Sequence, residues 1–279
     1  MKKALRSFSD MSLRAKLALL VCLLFLIIAV FAGPLSRYPY DKISGRKFEP
    51  PSQEHWLGTN DLGMDLWAQM CNGARISLGF GLTVSLSASL IGGVVGLAAA
   101  FSKRMDTILM GLCNIFQSIP DIPIIIILAS FFGQKNSVMI LTLVIFSWTR
   151  PARLIRSRAL ALKELPYVKL AKSYGGSFLH IMREHLIWDI WPLWLVSFAR
   201  LVGRAVVMES ALAFLGLGDP TTKSWGMILN NALNYRGIYY TEYWKWWIVP
   251  PVLAIALLVT SLTVLAAELE NHTGLKGGR

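Results

Sequence analysis

The stretch ISLGFGLTVSLSASLIGGVVGLAAAF, residues 76–101, decides the fold of this chain. It runs for 26 residues without a charged side chain. A bilayer core about 30 Å thick is crossed by roughly 20 helical residues, so this stretch is long enough to span a membrane. The whole composition agrees, because mean hydropathy is +0.52 and only 16% of residues are charged, against roughly a quarter in soluble domains. The sequence therefore predicts an integral membrane protein.

Other apolar runs predict further membrane helices, which gives an all-α protein with about six transmembrane helices. These runs lie at 17–32, 108–132, 138–148, 190–215 and 246–267. The run at 138–148 is short for a span, so a re-entrant segment is the alternative there. The first run follows basic residues and ends at Val30-Phe31-Ala32, so a cleavable signal peptide is its alternative. Its length exceeds the usual apolar core of a signal peptide, which favours a membrane helix.

The distribution of Lys and Arg predicts the orientation of these helices, because cytoplasmic loops retain positive charge. The first 16 residues, the turn at Lys103-Arg104 and the basic stretch from 150 to 183 fall on one side if the spans alternate. We therefore expect both termini in the cytoplasm. The predicted regions are a cytoplasmic tail (1–16), a first transmembrane helix (17–33), an external loop (34–75), a transmembrane core (76–268) with a long cytoplasmic loop (150–190), and a second cytoplasmic tail (269–279).

The formal net charge of +12 needs no nucleic-acid partner. The asymmetry of the loops and the attraction of basic residues to anionic lipid headgroups account for it. A basic nucleic-acid binder would carry this charge on a soluble fold, and the sequence predicts none. The lipid bilayer is the expected partner of this charge.

The sequence lacks the patterns of a catalytic, metal or cofactor site. Cys22, Cys71 and Cys113 show no paired spacing, and the four histidines are scattered. An isolated histidine is more often structural than a metal ligand. There is no Gly-rich loop ending in Lys-Ser or Lys-Thr, so the chain is not expected to bind ATP by itself. We expect a protein that is not an enzyme and binds no cofactor or metal.

The cytoplasmic loop carries a predicted amphipathic helix. Arg150, Arg153 and Arg156 recur at helical spacing, which suits a helix leaving the membrane with its cations at the headgroups. A second helix starts at Pro166, and Gly175-Gly176 ends it. Its apolar face is formed by Tyr167, Leu170, Ala171 and Tyr174. The residues alone leave two alternatives open: docking into a groove of a partner, or lying on the membrane surface.

Charged residues within the predicted spans are candidates for a functional site. Asp121 lies between Pro120 and Pro123, where the third span is expected to break. Arg200, Arg204 and Glu209 belong to the fifth span and can pair with each other or with Asp121. A structural ion network and a substrate path both fit this set.

Two further patterns concern packing and the external surface. Small residues from Gly79 to Gly96 predict close helix packing in the second span. Aromatic residues are dense from 225 to 247, and Trp244 to Trp247 suit an aromatic belt at the membrane interface. The tyrosines from 235 to 240 fit either this belt or a landing surface for another protein.

Three stretches of the sequence resemble a known family. ELPYVKLAKSYGGSFLHIMREHLIWDIWP, at 164–192, resembles the cytoplasmic coupling loop of ATP-binding-cassette (ABC) importer permeases. HWLGTNDLGMDLWAQMCNGARISL, at 55–78, and ESALAFLGLGDPTTKSWGMIL, at 209–229, resemble segments of the C-type permeases of peptide and nickel importers. In the coupling loop the matching positions are Ala171, Gly175, Ile181, His185 and Leu186.

The coupling loop also departs from the family pattern. Lys169-Leu170-Ala171 stands where the family usually has Glu-Ala-Ala, and Ile187-Trp188 stands where it usually has Leu-Pro. The charge reversal at Lys169 puts the exact surface of the ATPase partner in doubt. The apolar face is retained.

The resemblance implies a bacterial inner-membrane permease that works by alternating access. A second homologous permease subunit would complete the path, two ATPase subunits would use ATP and Mg²⁺, and a periplasmic or extracellular binding protein would deliver substrate. The implied coupling helix carries Tyr167, Leu170, Ala171, Tyr174, Gly175 and His185. Di- or oligopeptides are the expected substrates, and nickel or a metal chelate is the alternative. A self-contained channel or a membrane anchor is a third possibility.

Overall fold

The chain folds as a bundle of α-helices in a computed structural model, which describes residues 11–174 and 187–272. No β-structure beyond isolated bridges occurs in these two ranges, so the predicted all-α class is confirmed. The helices are α1 (Leu13–Val30), α2 (Ala32–Leu35), α3 (Leu66–Phe101), α4 (Lys103–Ser118), α5 (Asp121–Phe132), α6 (Asn136–Ser147), α7 (Thr149–Lys163), α8 (Pro166–Ser173), α9 (Ile187–Phe214), α10 (Trp225–Asn234), α11 (Trp244–Trp247) and α12 (Val249–His272).

The helices provide up to six membrane crossings. Five stretches are long and apolar enough to span a membrane, and the bent pair α4 and α5 makes a sixth if it counts as one span. The prediction of about six transmembrane helices is therefore confirmed. The five stretches are α1, α3, α6 with α7 (Asn136–Lys163), α9, and α11 with α12 (Trp244–Asn271).

The third span breaks where the prolines predicted a break. Ile119 and Pro120 are extended, and α4 and α5 meet at 77°. Pro123 lies within the first turn of α5, where a missing backbone N–H costs no helical hydrogen bond. Asp121 is therefore the first residue of a new helix within the membrane region.

The fourth span is longer than its apolar run. Helices α6 and α7 meet at Trp148 and together form a stretch of 28 residues, which is long enough to cross the membrane. The re-entrant alternative is therefore not needed. The apolar run underestimates this helix because α7 continues through several arginines that lie against α4, as described below.

The second span starts earlier than its apolar run. Helix α3 begins at Leu66, ten residues before residue 76, because Asp65 caps it by accepting a hydrogen bond from the Ala68 N–H at 2.7 Å. The other carboxylate oxygen of Asp65 lies 2.8 Å from Nδ1 of the buried His55. The last part of the predicted external loop is thus the first part of a helix.

Glycines let α3 approach α7 closely. A Cβ atom at Gly92 would lie 2.5 Å from the carbonyl oxygen of Trp148, and one at Gly96 would lie 2.5 Å from that of Ala152. These distances leave no room for a side chain. At Gly79, by contrast, nothing lies within 4 Å of the Cβ position. Gly92 and Gly96 therefore serve close packing in the C-terminal half of α3.

The start of α1 and the end of α12 lie at the same end of the bundle. The backbone N–H of Ser12 donates to Glu268 Oε1 at 2.8 Å, and the Ser12 hydroxyl donates to Glu268 Oε2 at 3.0 Å. An even number of membrane crossings follows from this contact.

Candidate functional site

A charge cluster lies where the broken third span meets the fourth and fifth spans. Arg204 on α9 donates a hydrogen bond to Asp121 at the start of α5, and each side chain is 28% exposed. Arg150 on α7 lies close enough to interact electrostatically with both. The predicted pairing of Asp121 with an arginine of the fifth span is therefore present in the structure.

Arg150 has different neighbours from the two arginines that follow it at helical spacing. Arg153 donates to Asn114, and Arg156 forms an ion pair with Asp106. Both partners lie on α4, so these two arginines fasten α7 to α4. Arg150 instead joins Asp121 and Arg204. Helical spacing placed the three arginines on one helix but could not assign their partners.

Arg200 and Glu209 do not join this cluster. Arg200 pairs with Glu270 near the end of α12 at 2.6 Å. Glu209 is 2% exposed and accepts hydrogen bonds from Ser77 at 3.1 Å and Ser210 at 3.4 Å. The Ser77 oxygen also accepts from the backbone N–H of Trp225 at 3.3 Å. Glu209 thus binds α3, α9 and α10 together.

A polar cavity that the sequence did not predict lies at the opposite end of the bundle from Ser12. The cavity has a volume of about 440 Å³, and Asn72 Nδ2 beside it is buried without a hydrogen-bond partner among the described residues. Polar groups on its wall include Asn72, Arg75, Thr83, Asn136, Thr221 and Thr222. Asn72 and Arg75 belong to the predicted external loop (34–75), where polar residues give no signal of a site. Because most of these groups can donate hydrogen bonds, the cavity suits carbonyl or carboxylate oxygens.

Helix α8 coincides with the predicted amphipathic helix. Val168 is a buried residue of α8, and it packs against Ile155 and Leu162 of α7. Leu170 is 55% exposed and Tyr174 is 88% exposed, so apolar groups of the predicted face point away from the bundle. The predicted residues Gly175 and His185 lie outside the described residues, as does the side chain of Ala171.

Polar contacts hold α8 in place. The Tyr167 hydroxyl donates to Asp189 Oδ2 in the first turn of α9 at 3.0 Å. Burial, then the interaction with Asp189, raises the pKa of Tyr167 above its usual value, so the hydroxyl stays a donor near neutral pH. Lys169 forms an ion pair with Glu164 at 2.9 Å. The lysine that departs from the family pattern is therefore partly neutralised within the chain.

The aromatic residues between 235 and 247 divide into a packed group and an exposed tip. Phe48 stacks on Tyr243 with ring centroids 4.3 Å apart, and Tyr235 and Trp247 pack around this pair. Trp247 is buried in the core rather than part of an interfacial belt, so the belt expectation is wrong for this residue. The sequence could not predict this burial, because Phe48, which packs against Trp247, lies far from it in the chain. Tyr239 and Tyr240 are exposed.

Known proteins resemble the chain in sequence and in fold. Residues 89–272 match the family described as binding-protein-dependent transport system inner membrane component. A dipeptide transport system permease protein of Bacillus subtilis is 31% identical over 257 residues, which cover 90% of this chain and 79% of the relative. A glutathione transport system permease protein of Pectobacterium atrosepticum is 32% identical over 258 residues, with coverages of 90% and 81%.

A longer match and a solved structure agree with this assignment. An oligopeptide transport system permease protein of Bacillus subtilis is 29% identical over 279 residues, which cover 97% of this chain and 90% of the relative. A chain of the MetNI methionine ABC transporter has the same fold, with a TM-score of 0.54 and 18% identity over 73% of this chain and 94% of that one. The chain therefore belongs to the family of binding-protein-dependent transport system inner membrane components, the ABC importer permeases that its motifs resemble.

Proposed function

We propose that this chain is the permease subunit of an ATP-driven importer of di- or oligopeptides in a bacterial inner membrane. The observation that carries the proposal is similarity over at least nine-tenths of the chain to permeases named for dipeptide, oligopeptide and glutathione transport. Glutathione is itself a small peptide. These relatives do not favour the alternative of nickel or a metal chelate.

The working assembly contains a second homologous permease subunit, two ATPase subunits and an external substrate-binding protein. The family description supports the binding protein. The exposed apolar surface of Leu170 and Tyr174 supports an ATPase partner, because such groups gain free energy when a groove covers them. ATP and Mg²⁺ are used by the ATPase subunits, and this chain binds no cofactor and catalyses no covalent step.

Helix α8 lies on the cytoplasmic side together with both termini. The excess of Lys and Arg in the connected segments supports this orientation. The contact of Ser12 with Glu268 supports placing both termini on one side.

Movement of α8 reaches the membrane through two routes. Val168 packs against α7, which continues into the fourth span, and Tyr167 binds Asp189 at the start of the fifth. ATP binding, by favouring one arrangement of the ATPases, would tilt these two spans and alternate access to the path. Asp121 and Arg204 line this path. For Arg200 and Glu209 we propose the structural alternative, because each has partners outside the charge cluster.

Co-purification from a gentle detergent tests the assembly and the docking surface. The tagged wild-type chain should recover a second permease, ATPase subunits and a binding protein that carries peptide. Leu170→Asp should reduce ATPase recovery at least about tenfold, since a carboxylate on the docking face must be desolvated. Leu62→Asp, at an exposed leucine of the external segment, is the matched control and should recover all subunits.

Two results would contradict the proposal. Recovery of the chain alone in several detergents would favour a channel or a membrane anchor. Equal ATPase recovery with Leu170→Asp and the wild type would remove α8 as the docking surface.

A further inference from the structure

The charge cluster on α5, α7 and α9 is not electrically neutral. Asp121 carries one negative charge, and Arg204 and Arg150 carry two positive charges. Arg204 forms the ion pair with Asp121, while Arg150 is exposed and forms no ion pair of its own among the described residues. The cluster therefore presents one uncompensated guanidinium.

The cluster lies deep within the membrane region. With a rise of 1.5 Å per residue, Asp121 is roughly 17 Å along α5 from Phe132, and Arg204 is roughly 15 Å along α9 from Phe214. Arg150 is roughly 21 Å from Asn136 along the fourth span. Asn136 and Thr221 line one cavity, so the end of α5, the end of α9 and the start of α6 lie at the same side of the bundle. All three charges are thus far from the external surface of a core about 30 Å thick.

Arg150 cannot face lipid at this depth. A helical side chain leans toward the N-terminus of its helix, and for Arg150 this direction leads away from the cytoplasmic headgroups. The guanidinium lies within electrostatic range of both Arg204 and Asp121, which places it near their depth. Ionisable groups within the membrane face a bundle interior or a water-filled cavity. Since this bundle leaves Arg150 exposed, its exposed side faces the translocation path.

We infer that Arg150, with the Asp121–Arg204 pair, forms a site in the path that takes the C-terminal carboxylate of a peptide in transit. This inference rests on the proposed function. Every unmodified peptide has this carboxylate whatever its sequence, so one guanidinium serves many substrates. Arginine binds a carboxylate through two parallel hydrogen bonds. Asp121 neutralises Arg204, which keeps the attraction of the cluster for the peptide carboxylate weak enough for release.

Peptide uptake by the reconstituted complex tests the inference. Proteoliposomes that contain the complete importer receive binding protein saturated with Ala-Ala-Ala or with its C-terminal amide. The wild type should transport the free acid about tenfold faster than the amide, as the loss of one charge-assisted contact implies. R150Q should transport both peptides at the slow rate, and R150K should retain at least about a third of the wild-type rate. K135Q, which changes an exposed external lysine, should behave as wild type.

Two further measurements on the complex distinguish the possible reasons for a change in transport. ATPase activity stimulated by the loaded binding protein and recovery of the second permease should be equal in R150Q and the wild type. Normal transport of Ala-Ala-Ala by R150Q would overturn the inference. Loss of the second permease from the purified complex would also overturn it, because Arg150 would then pair with a carboxylate of that subunit. An equal fall of ATPase activity and uptake in R150Q would overturn it as well. If the wild type itself transports no peptide, the proposed function has failed instead.

Discussion

At the scale of a residue, the contacts of the buried Glu209 support our proposal that this ionisable group serves packing rather than transport. Its carboxylate accepts from Ser77 and Ser210, and Ser77 in turn holds the start of α10. Removal of the carboxylate would leave these hydroxyls without their buried acceptor, and the cost of such a loss is about 1–3 kcal/mol.

We therefore expect Glu209→Ala to lower the free energy of unfolding by about 1–3 kcal/mol. Denaturation of the purified chain in mixed micelles measures this change. Glu242→Ala, at an exposed glutamate paired with Lys245, should change stability by less than about 0.5 kcal/mol. Unchanged stability of Glu209→Ala with altered peptide uptake would return Glu209 to the translocation path.

The sequence identified which residues carry charge in the membrane but only one of their pairings. The pairing of Asp121 with Arg204 was predictable, because both lie far from the ends of their spans. Arg200 has Glu270 as its partner, which is 70 residues away and follows the apolar run. Arg150 was assigned to the headgroups because it starts a row of arginines. Only the packing of α7 against α4 and α9 separates Arg150 from that row.

At the scale of an element, α3 and α7 approach each other closely at two glycines of α3. Gly92 and Gly96 face backbone carbonyls, which cannot move aside as a flexible side chain can. Even one methyl group at either position must separate the two helices.

We expect Gly96→Ala to destabilise the chain by about 1–3 kcal/mol, the usual cost of overpacking. Gly79→Ala is the matched control on the same helix, where the Cβ position is open. It should leave stability unchanged or raise it by up to about 1 kcal/mol, since alanine favours a helix over glycine. Unfolding in mixed micelles distinguishes the two variants. Equal stabilities would show that α3 and α7 are not held this closely in the membrane.

Apolar runs located the helices better than they located the helix ends. Helix α3 starts at Leu66 because Asp65 caps it, and α7 continues to Lys163 because its arginines have partners on α4. Neither cause is visible in hydropathy. The break at Pro120 and the start of α8 at Pro166 were predictable, because proline restricts the backbone locally.

At the scale of the whole molecule, our proposal makes the described chain one half of a translocation path. The polar cavity is lined by α3, α6 and the segments at Tyr40 and Thr221, whereas the charge cluster lies on α5, α7 and α9. Motifs in the sequence predicted the family and its partners. They could not predict the cavity, because its walls come from four separate segments of the chain.

The most direct test of the account is ATP-dependent uptake of Ala-Ala-Ala by proteoliposomes that contain the purified complex and its binding protein. We predict uptake that requires both ATP and the binding protein and is lost with Leu170→Asp. Uptake without ATP, or transport of nickel in place of any peptide, would contradict the assignment of this chain as the permease of a peptide importer.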